Sequence, residues 1–364
     1  ADEQAIRAQV VTLDQQRFDN EGRLRDGNGQ LPPVEAGGLE QYVQRYRRCF
    51  RPDALADLRV GYYRHSTVAA EAAIQVLRAL GAEVAELGKA EHFVPVDTEA
   101  VRWEDQDLAR RWAANGAFDA LVSADGDGDR PLVSDEDGRW LRGDIIGILC
   151  ARFLKAAGVV TPVSSNSALE RSGWFSATDR TRIGSPYVIE GMARLAQQGH
   201  RPVVGYEANG GLLIQHAIAL ETGVLRPLPT RDALIVPLCL LADAKARGLR
   251  VSDLVAELPP RFTASDRLKA FPRDLARRRL AELLEGPVET REQGIADAFG
   301  GHFGPVATLD QTDGLRVTFT NGEIAHLRPS GNAPEMRAYT EAANPERAQE
   351  MLAICLASLE SWRR

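Results

Sequence analysis

Twice in this chain a short apolar run hands its last residue straight to a glycine-rich polar loop. FDALVSA (118–124) runs into DGDGDR (125–130), and RPVVGY (201–206) runs into EANGG (207–211). Short apolar runs bounded by turn residues read as strands buried on both faces, which occur in sheets covered by helices. The neighbouring segments agree. LRVGYY (58–63) reads as a strand, VAAEAAIQVLRAL (68–80) as a helix stopped by Gly81, and AEVAEL (82–87) as the next strand, together a βαβ unit. EDQDLARRWAANG (104–116) is the predicted helix before the first loop. VVTPVS (159–164) and SPYVIEGMARLAQQG (185–199) are a predicted strand and helix before the second. The fold class expected is α/β, with two similar α/β domains built on mixed sheets over 39–145 and 146–258. They divide near an amphipathic helix in GDIIGILCARFLKAAG (143–158).

After Pro259-Pro260 the order changes. A strand and a helix (262–285) precede LRVTFT-NG-EIAHLRP, where Asn321-Gly322 predicts a two-residue hairpin. Asn344-Pro345 predicts the cap of a last helix with Met351, Leu352, Cys355 and Leu359 on its apolar face. This is expected to be a C-terminal α+β domain, 259–364. Residues 1–38 read as a short helix (Asp2 to Val11) followed by a linker rich in Gly, Asn and Pro.

Composition narrows the partners. The chain has 364 residues, 44% hydrophobic and 26% charged, with a net charge of −7. That balance gives no footprint for nucleic acid or an acidic membrane, so an anionic ligand must be met by locally placed arginines. The longest apolar run, Ala233 to Ala244, contains Pro237 and is too short to cross a bilayer. Cys49, Cys150, Cys239 and Cys355 lie far apart, as expected of small buried hydrophobes in a reducing, cytoplasmic compartment, and no signal-peptide pattern is present.

Open α/β sheets place ligands at the carboxyl ends of their strands, so both polar loops are candidate sites. Asp125, Asp127 and Asp129 alternate with glycines that let their carboxylates converge. A solvated acidic turn is one reading. An EF-hand loop is another, disfavoured because Arg130 and Pro131 stand where its sharp glycine turn and carbonyl ligand belong. Three carboxylates with few other ligands suit Mg²⁺, which leaves Arg130 placed to meet a phosphate. In the second loop Glu207 and Asn209 are spaced to hold vicinal sugar hydroxyls. Further on, RPSGNAPEMR (328–337) offers Arg328, Ser330, Asn332 and Arg337 as a phosphate nest. Ser66 reads as a helix N-cap, and no catalytic triad, zinc or Walker pattern is present.

These three motifs, in this order, resemble those of the α-D-phosphohexomutases, above all the phosphomannomutase/phosphoglucomutase branch. That family's metal loop reads D-G-D-G-D-R, its sugar loop G-E-x-S-G, and its phosphate loop R-P-S-G-T-E-P-x-x-R. The resemblance implies Asp125, Asp127 and Asp129 as Mg²⁺ ligands, with Arg130 catalytic beside the reacting phosphate. It implies Glu207 and Asn209 on sugar hydroxyls, and Arg328, Ser330, Gly331, Asn332 and Arg337 on the non-reacting phosphate. Arg182, in TRIGSPY, stands where the family often has a basic residue. The implied reaction moves phosphate between the 1- and 6-positions of a hexose through a phosphoserine and a bisphosphate, with hexose 1,6-bisphosphate as activator. Mannose and glucose phosphates remain equally open, and nothing points to an oligomeric state. Asn209 replaces the family's Ser, and Asn332-Ala333 its Thr-Glu. The serine loop, T-x-S-H-x-P, is not in these residues, so the expectation is that a first domain is missing and that this chain alone is inactive. The alternative is a phosphosugar-binding protein without catalysis.

Overall fold

The computed structural model describes residues 2–25, 33–35, 37–228, 230–299, 301–331 and 333–363. Residues 1–41 and 42–364 form two compact units. The first contains α1 (Asp2–Arg7) and a turn in which Asp19 Oδ1 accepts from the backbone N–H groups of Glu21 and Arg23. The helix ends short of the expected Val11. Ile6, Val10 and Val11 are 72%, 93% and 79% exposed, so extending it would bury nothing to offset the ordering cost.

α2 (Gly37–Arg47) leads into the second unit, where three larger sheets follow in chain order, with a two-stranded one between the second and third. The first is built from β1 (Arg59–His65), α3 (Ala70–Ala79), β2 (Glu83–Lys89), α4 (Trp103–Gly116), β3 (Ala120–Ala124) and β4 (Pro131–Val133). Its strand order is β2-β1-β3-β4, with the first three parallel and β4 antiparallel at the edge. After α5 (Gly143–Phe153) the second sheet uses β5 (Gly158–Pro162), α6 (Ala168–Arg171), β6 (Ala177–Thr181), α7 (Ser185–Gln197), β7 (Val203–Tyr206) and β8 (Leu212–Ile214). Its order, β6-β5-β7-β8, repeats the first sheet strand for strand, with the antiparallel edge in the same place. This is the predicted pair of similar α/β arrangements with mixed sheets.

A small hairpin, β9 (Ile218–Ala219) and β10 (Val224–Leu225), leads to α8 (Ile235–Arg247) and α9 (Val251–Ala256). The run expected as merely apolar thus becomes α8. Pro237 is tolerated there because it falls in the first turn, where its missing N–H has no helical partner to lose. α5 departs from expectation more. It is not a surface amphipathic helix, because Ile146 through Ala151 are buried without a break. A helix apolar all round belongs in the interior, and α5 packs against α8 in one core that runs under both sheets.

The third sheet has a core of its own. It comprises β11 (Phe262–Lys269), α10 (Arg273–Glu282), α11 (Val288–Ala298), β12 (Val306–Asp310), β13 (Leu315–Phe319), β14 (Ile324–Pro329), β15 (Glu335–Ala342) and α12 (Pro345–Ser361). The order β11-β15-β14-β13-β12 is antiparallel throughout. Asn344 caps α12 as predicted, accepting from Arg347 N–H at 2.8 Å. The Asn321-Gly322 hairpin is wider than two residues. Gly322 N–H donates to Phe319 O and Gly322 takes φ 80°, a type I turn closed by a left-handed glycine.

Ser66 is not the cap of α3, which starts at Ala70 without a side-chain cap. Its hydroxyl instead accepts from Val94 N–H at 2.8 Å and fastens the loop after β2. All four cysteines are buried and free, and no described helix is long and apolar enough to cross a membrane.

Candidate active site

The two polar loops occupy the same position in their sheets. Asp125–Arg130 connects β3 to β4, and Glu207–Gly211 connects β7 to β8. Each closes on itself: Asp125 N–H donates to Arg130 O at 3.0 Å, and Glu207 N–H to Gly211 O at 3.1 Å. Each also places a left-handed glycine three residues after its leading acid, Gly128 at φ 80° and Gly210 at φ 87°.

In the first loop Asp125 Oδ1 accepts from the backbone N–H groups of Gly128, Asp129 and Arg130, each at 3.2 Å. That wrap gathers carboxylate oxygens of Asp125, Asp127 and Asp129 within 4.8 Å of one another. Burial above all, and then the charges of Asp127 and Asp129, push the Asp125 carboxyl above its ordinary range, against the loop's backbone hydrogen bonds. Asp129 Oδ1 is buried without a hydrogen-bond partner and lies 3.6 Å from Arg130 Nε, while Oδ2 of the same carboxylate pairs with Arg231. An orphaned carboxylate oxygen beside two more, all hard donors, fits a small divalent cation.

In the second loop Glu207 is buried, and Asn209 Oδ1 accepts from Gly211 N–H at 3.0 Å. The loop is held from outside as well. The Thr98 hydroxyl donates to Asn209 O at 2.8 Å, and the first residue of α5 presses on the loop's backbone. A Cβ on Gly143 would stand 2.1 Å from Gly210 N and 2.4 Å from Ala208 O.

The third sheet contributes arginines. Arg328 lies opposite Arg337, and Arg337 opposite Arg267, so three adjacent strands present like charges in one row. Such a row costs stability unless an anion is shared among them. Arg328 Nε pairs with Asp313 Oδ2 at 2.9 Å, and the same oxygen accepts from Ile183 N–H at 3.0 Å. Arg182 Nε donates to Thr312 O at 3.1 Å, which joins that turn to the third sheet. Ser330 is buried, with Ala333 N–H 3.4 Å from its Oγ. Asn332 lies outside the described residues.

One cleft of 1290 Å³ brings these parts together. Arg130, Arg182, Glu207, Asn209, Arg328, Ser330, Gly331 and Arg337 all line it, and the aspartate loop borders it through Arg130. Sequence reasoning missed Arg231, Arg267, Arg273, Arg277 and Glu99, which also line it. Burial foremost pushes the Glu99 carboxyl up. For Arg231 there was a faint signal, since TRD opens an otherwise apolar helical run. For Arg267 there was none, because cross-strand register is a long-range property.

Comparison with known proteins agrees with this architecture. Residues 142–262 match "Phosphoglucomutase/phosphomannomutase, alpha/beta/alpha domain III", and residues 250–356 match the C-terminal domain of the same family. A phosphomannomutase of Sinorhizobium fredii is 39% identical over 361 residues, covering 99% of this chain and 74% of that protein. The chain belongs to the phosphoglucomutase/phosphomannomutase family. A phosphomannomutase of Salmonella muenchen is 40% identical over 320 residues, and the chain spans 65% of its length. A solved family member from Burkholderia thailandensis superposes with TM-score 0.65 at 20% identity, over 89% of this chain and 64% of that one. The N-acetylphosphoglucosamine mutase of Aspergillus fumigatus, solved with GlcNAc-6P and magnesium, shares the fold with TM-score 0.61 at 16% identity, over 91% and 66%.

Proposed function

We propose that the chain binds a hexose phosphate in this cleft and supplies the metal, sugar and phosphate sites of a phosphohexomutase. One observation carries the reading. A protein of net charge −7 lines this cleft with eight arginines against four acids, Asp97, Glu99, Glu207 and Asp313. Local positive charge in an acidic protein is there to meet an anion. In the proposed division of labour, Asp125, Asp127 and Asp129 hold Mg²⁺, which when bound draws charge from a phosphoryl oxygen. Arg130 stands beside the reacting phosphate. Glu207 and Asn209 hold sugar hydroxyls, Arg182 meets the substrate from its own turn, and Arg328, Ser330, Gly331, Asn332 and Arg337 grip the other phosphate. The full reaction in this reading moves phosphate between positions 1 and 6 of mannose or glucose through a phosphoserine, primed by hexose 1,6-bisphosphate. Its parts fall in 39–145, 146–258 and 259–364, after a linker over 1–38, and buried free cysteines favour the reducing cytoplasm.

A second reading is binding without catalysis, in which the same cleft holds the sugar phosphate and no phosphoryl group moves. Both readings expect calorimetry to detect mannose 1-phosphate or glucose 1-phosphate. Arg337→Met should weaken that binding roughly ten- to a hundredfold, the worth of a charge-assisted hydrogen bond. Unchanged affinity would refute the phosphate site. This chain alone should give no turnover in a coupled assay with Mg²⁺ and a trace of the 1,6-bisphosphate. Turnover that survives removal of contaminating mutase would refute the phosphoserine step.

A further inference from the structure

Arg231 touches both hairpin loops at once. Its Nη1 donates to Glu207 Oε2 at 3.0 Å, and its Nη2 pairs with Asp129 Oδ2. The arm crosses the sugar loop at Gly211, where a Cβ would lie 2.4 Å from Arg231 Cδ. That glycine is the space the arm occupies. The base of the arm is pinned by the next residue. Asp232 is buried, accepts from the hydroxyls of Tyr42 and Tyr46, and lies 3.7 Å from Arg45. Its N–H donates to Leu212 O at 3.1 Å, and its Oδ1 accepts from Leu234 N–H at the head of α8.

We propose that Arg231 is a positioning residue that couples the metal loop to the sugar loop. The inference rests on the hexose-phosphate reading above and adds to it a link between its two sites. One planar guanidinium holds Asp129 and Glu207 in a fixed mutual geometry, with one nitrogen for each. Glu207 keeps Oε1 for a sugar hydroxyl because Oε2 is engaged. A cation that draws on the Asp129 carboxylate weakens its hold on Nη2. The guanidinium then turns more fully to Glu207 and steadies it. The two ligands therefore favour each other, and by linkage the effect is reciprocal. Lysine at this position offers a point charge without the fork, and glutamine offers one donor pair without the charge.

The test is calorimetry on the whole chain. Mg²⁺ is titrated with and without saturating mannose 1-phosphate or glucose 1-phosphate, whichever binds tighter, and the sugar phosphate with and without Mg²⁺. In the wild type each ligand should tighten the other by about fivefold or more, the lower end of ordinary coupling. In Arg231→Gln and Arg231→Lys, sugar-phosphate affinity without Mg²⁺ should fall roughly tenfold. Affinity for Mg²⁺ alone should hold or rise, because a neighbouring positive charge is gone or loosened. The mutual tightening should vanish. A purely structural prop would instead lower both affinities together with the melting temperature and leave the coupling intact in whatever binding remained. That result overturns the proposal, as does unchanged affinity and coupling in both variants. A wild type that binds both ligands without coupling overturns this inference alone. A wild type that binds neither refutes the hexose-phosphate reading beneath it.

Discussion

In the first sheet the loop after the last parallel strand gathers three carboxylates around backbone donors, with Arg130 no nearer than 3.6 Å and one arm of Arg231 on Asp129 Oδ2. In the second sheet the loop after the matching strand holds one carboxylate, Glu207, and gives it Arg231 at 3.0 Å. Strand order, closing hydrogen bond and left-handed glycine are common to both. The scaffold therefore fixes where polar atoms are shown, and the countercharge decides what they can bind. Three carboxylates that share Arg130 and one arm of Arg231 keep an excess of negative charge for a metal. A single carboxylate matched by an arginine, with no second acid in its loop to share a cation, is an oriented acceptor for hydroxyls.

A pair of glycine substitutions should separate the loops most sharply. Gly143→Ala drives a methyl into backbone atoms of the Glu207 loop, which cannot turn aside as a side chain would. We expect a loss of about 2–3 kcal/mol in stability and most of the sugar-phosphate affinity, with Mg²⁺ affinity little changed. Gly128→Ala mirrors it: at φ 80°, and with Ala69 Cβ at 2.6 Å, it should cost Mg²⁺ binding first. Thermal melting with calorimetry checks both. Equal loss of both ligands in either variant would break the comparison.

A smaller effect concerns charge in the aspartate loop. The Asp125 carboxyl is raised, mainly by burial and then by its acidic neighbours, so the folded state holds its proton to higher pH than the unfolded chain. The stability this contributes is present below the ordinary carboxylate range and is lost as pH rises through the raised value. Asp127 is exposed and adds to the repulsion. Asp127→Asn should therefore flatten melting temperature against pH above the ordinary carboxylate range, with a gain of no more than roughly 0.5 kcal/mol at neutral pH. Added Mg²⁺ should flatten the wild-type profile in the same sense. A steeper profile in the variant would contradict the assignment of the raised carboxyl.

What could be read from sequence was whatever local pattern encodes. Both loops follow strands that are mostly apolar and buried along their whole length, so β3 and β7 and the polar loops at their ends were legible. β6 was not, since ATDRT is a half-buried polar edge held by Arg180 donating to the carbonyls of Pro162 and Ser165. β12 was missed for the same reason. The sequence of α5 reads as amphipathic, with Asp144 and Arg152 among its apolar residues. In the fold Asp144 is buried and accepts from Asn166 N–H. The arginine row depends on the register of β11, β15 and β14, and the Arg231 bridge on two loops about eighty residues apart, so neither has a local signature.

The most direct measurement of the division between the loops is a crossed calorimetric titration of Asp127→Asn and Glu207→Gln, each with Mg²⁺ alone and with mannose 1-phosphate alone. Asp127→Asn should weaken Mg²⁺ by roughly tenfold or more and the sugar phosphate little, and Glu207→Gln should do the reverse. If Glu207→Gln weakens Mg²⁺ more than the sugar phosphate, Glu207 belongs to the metal site and the two loops do not divide the work as described.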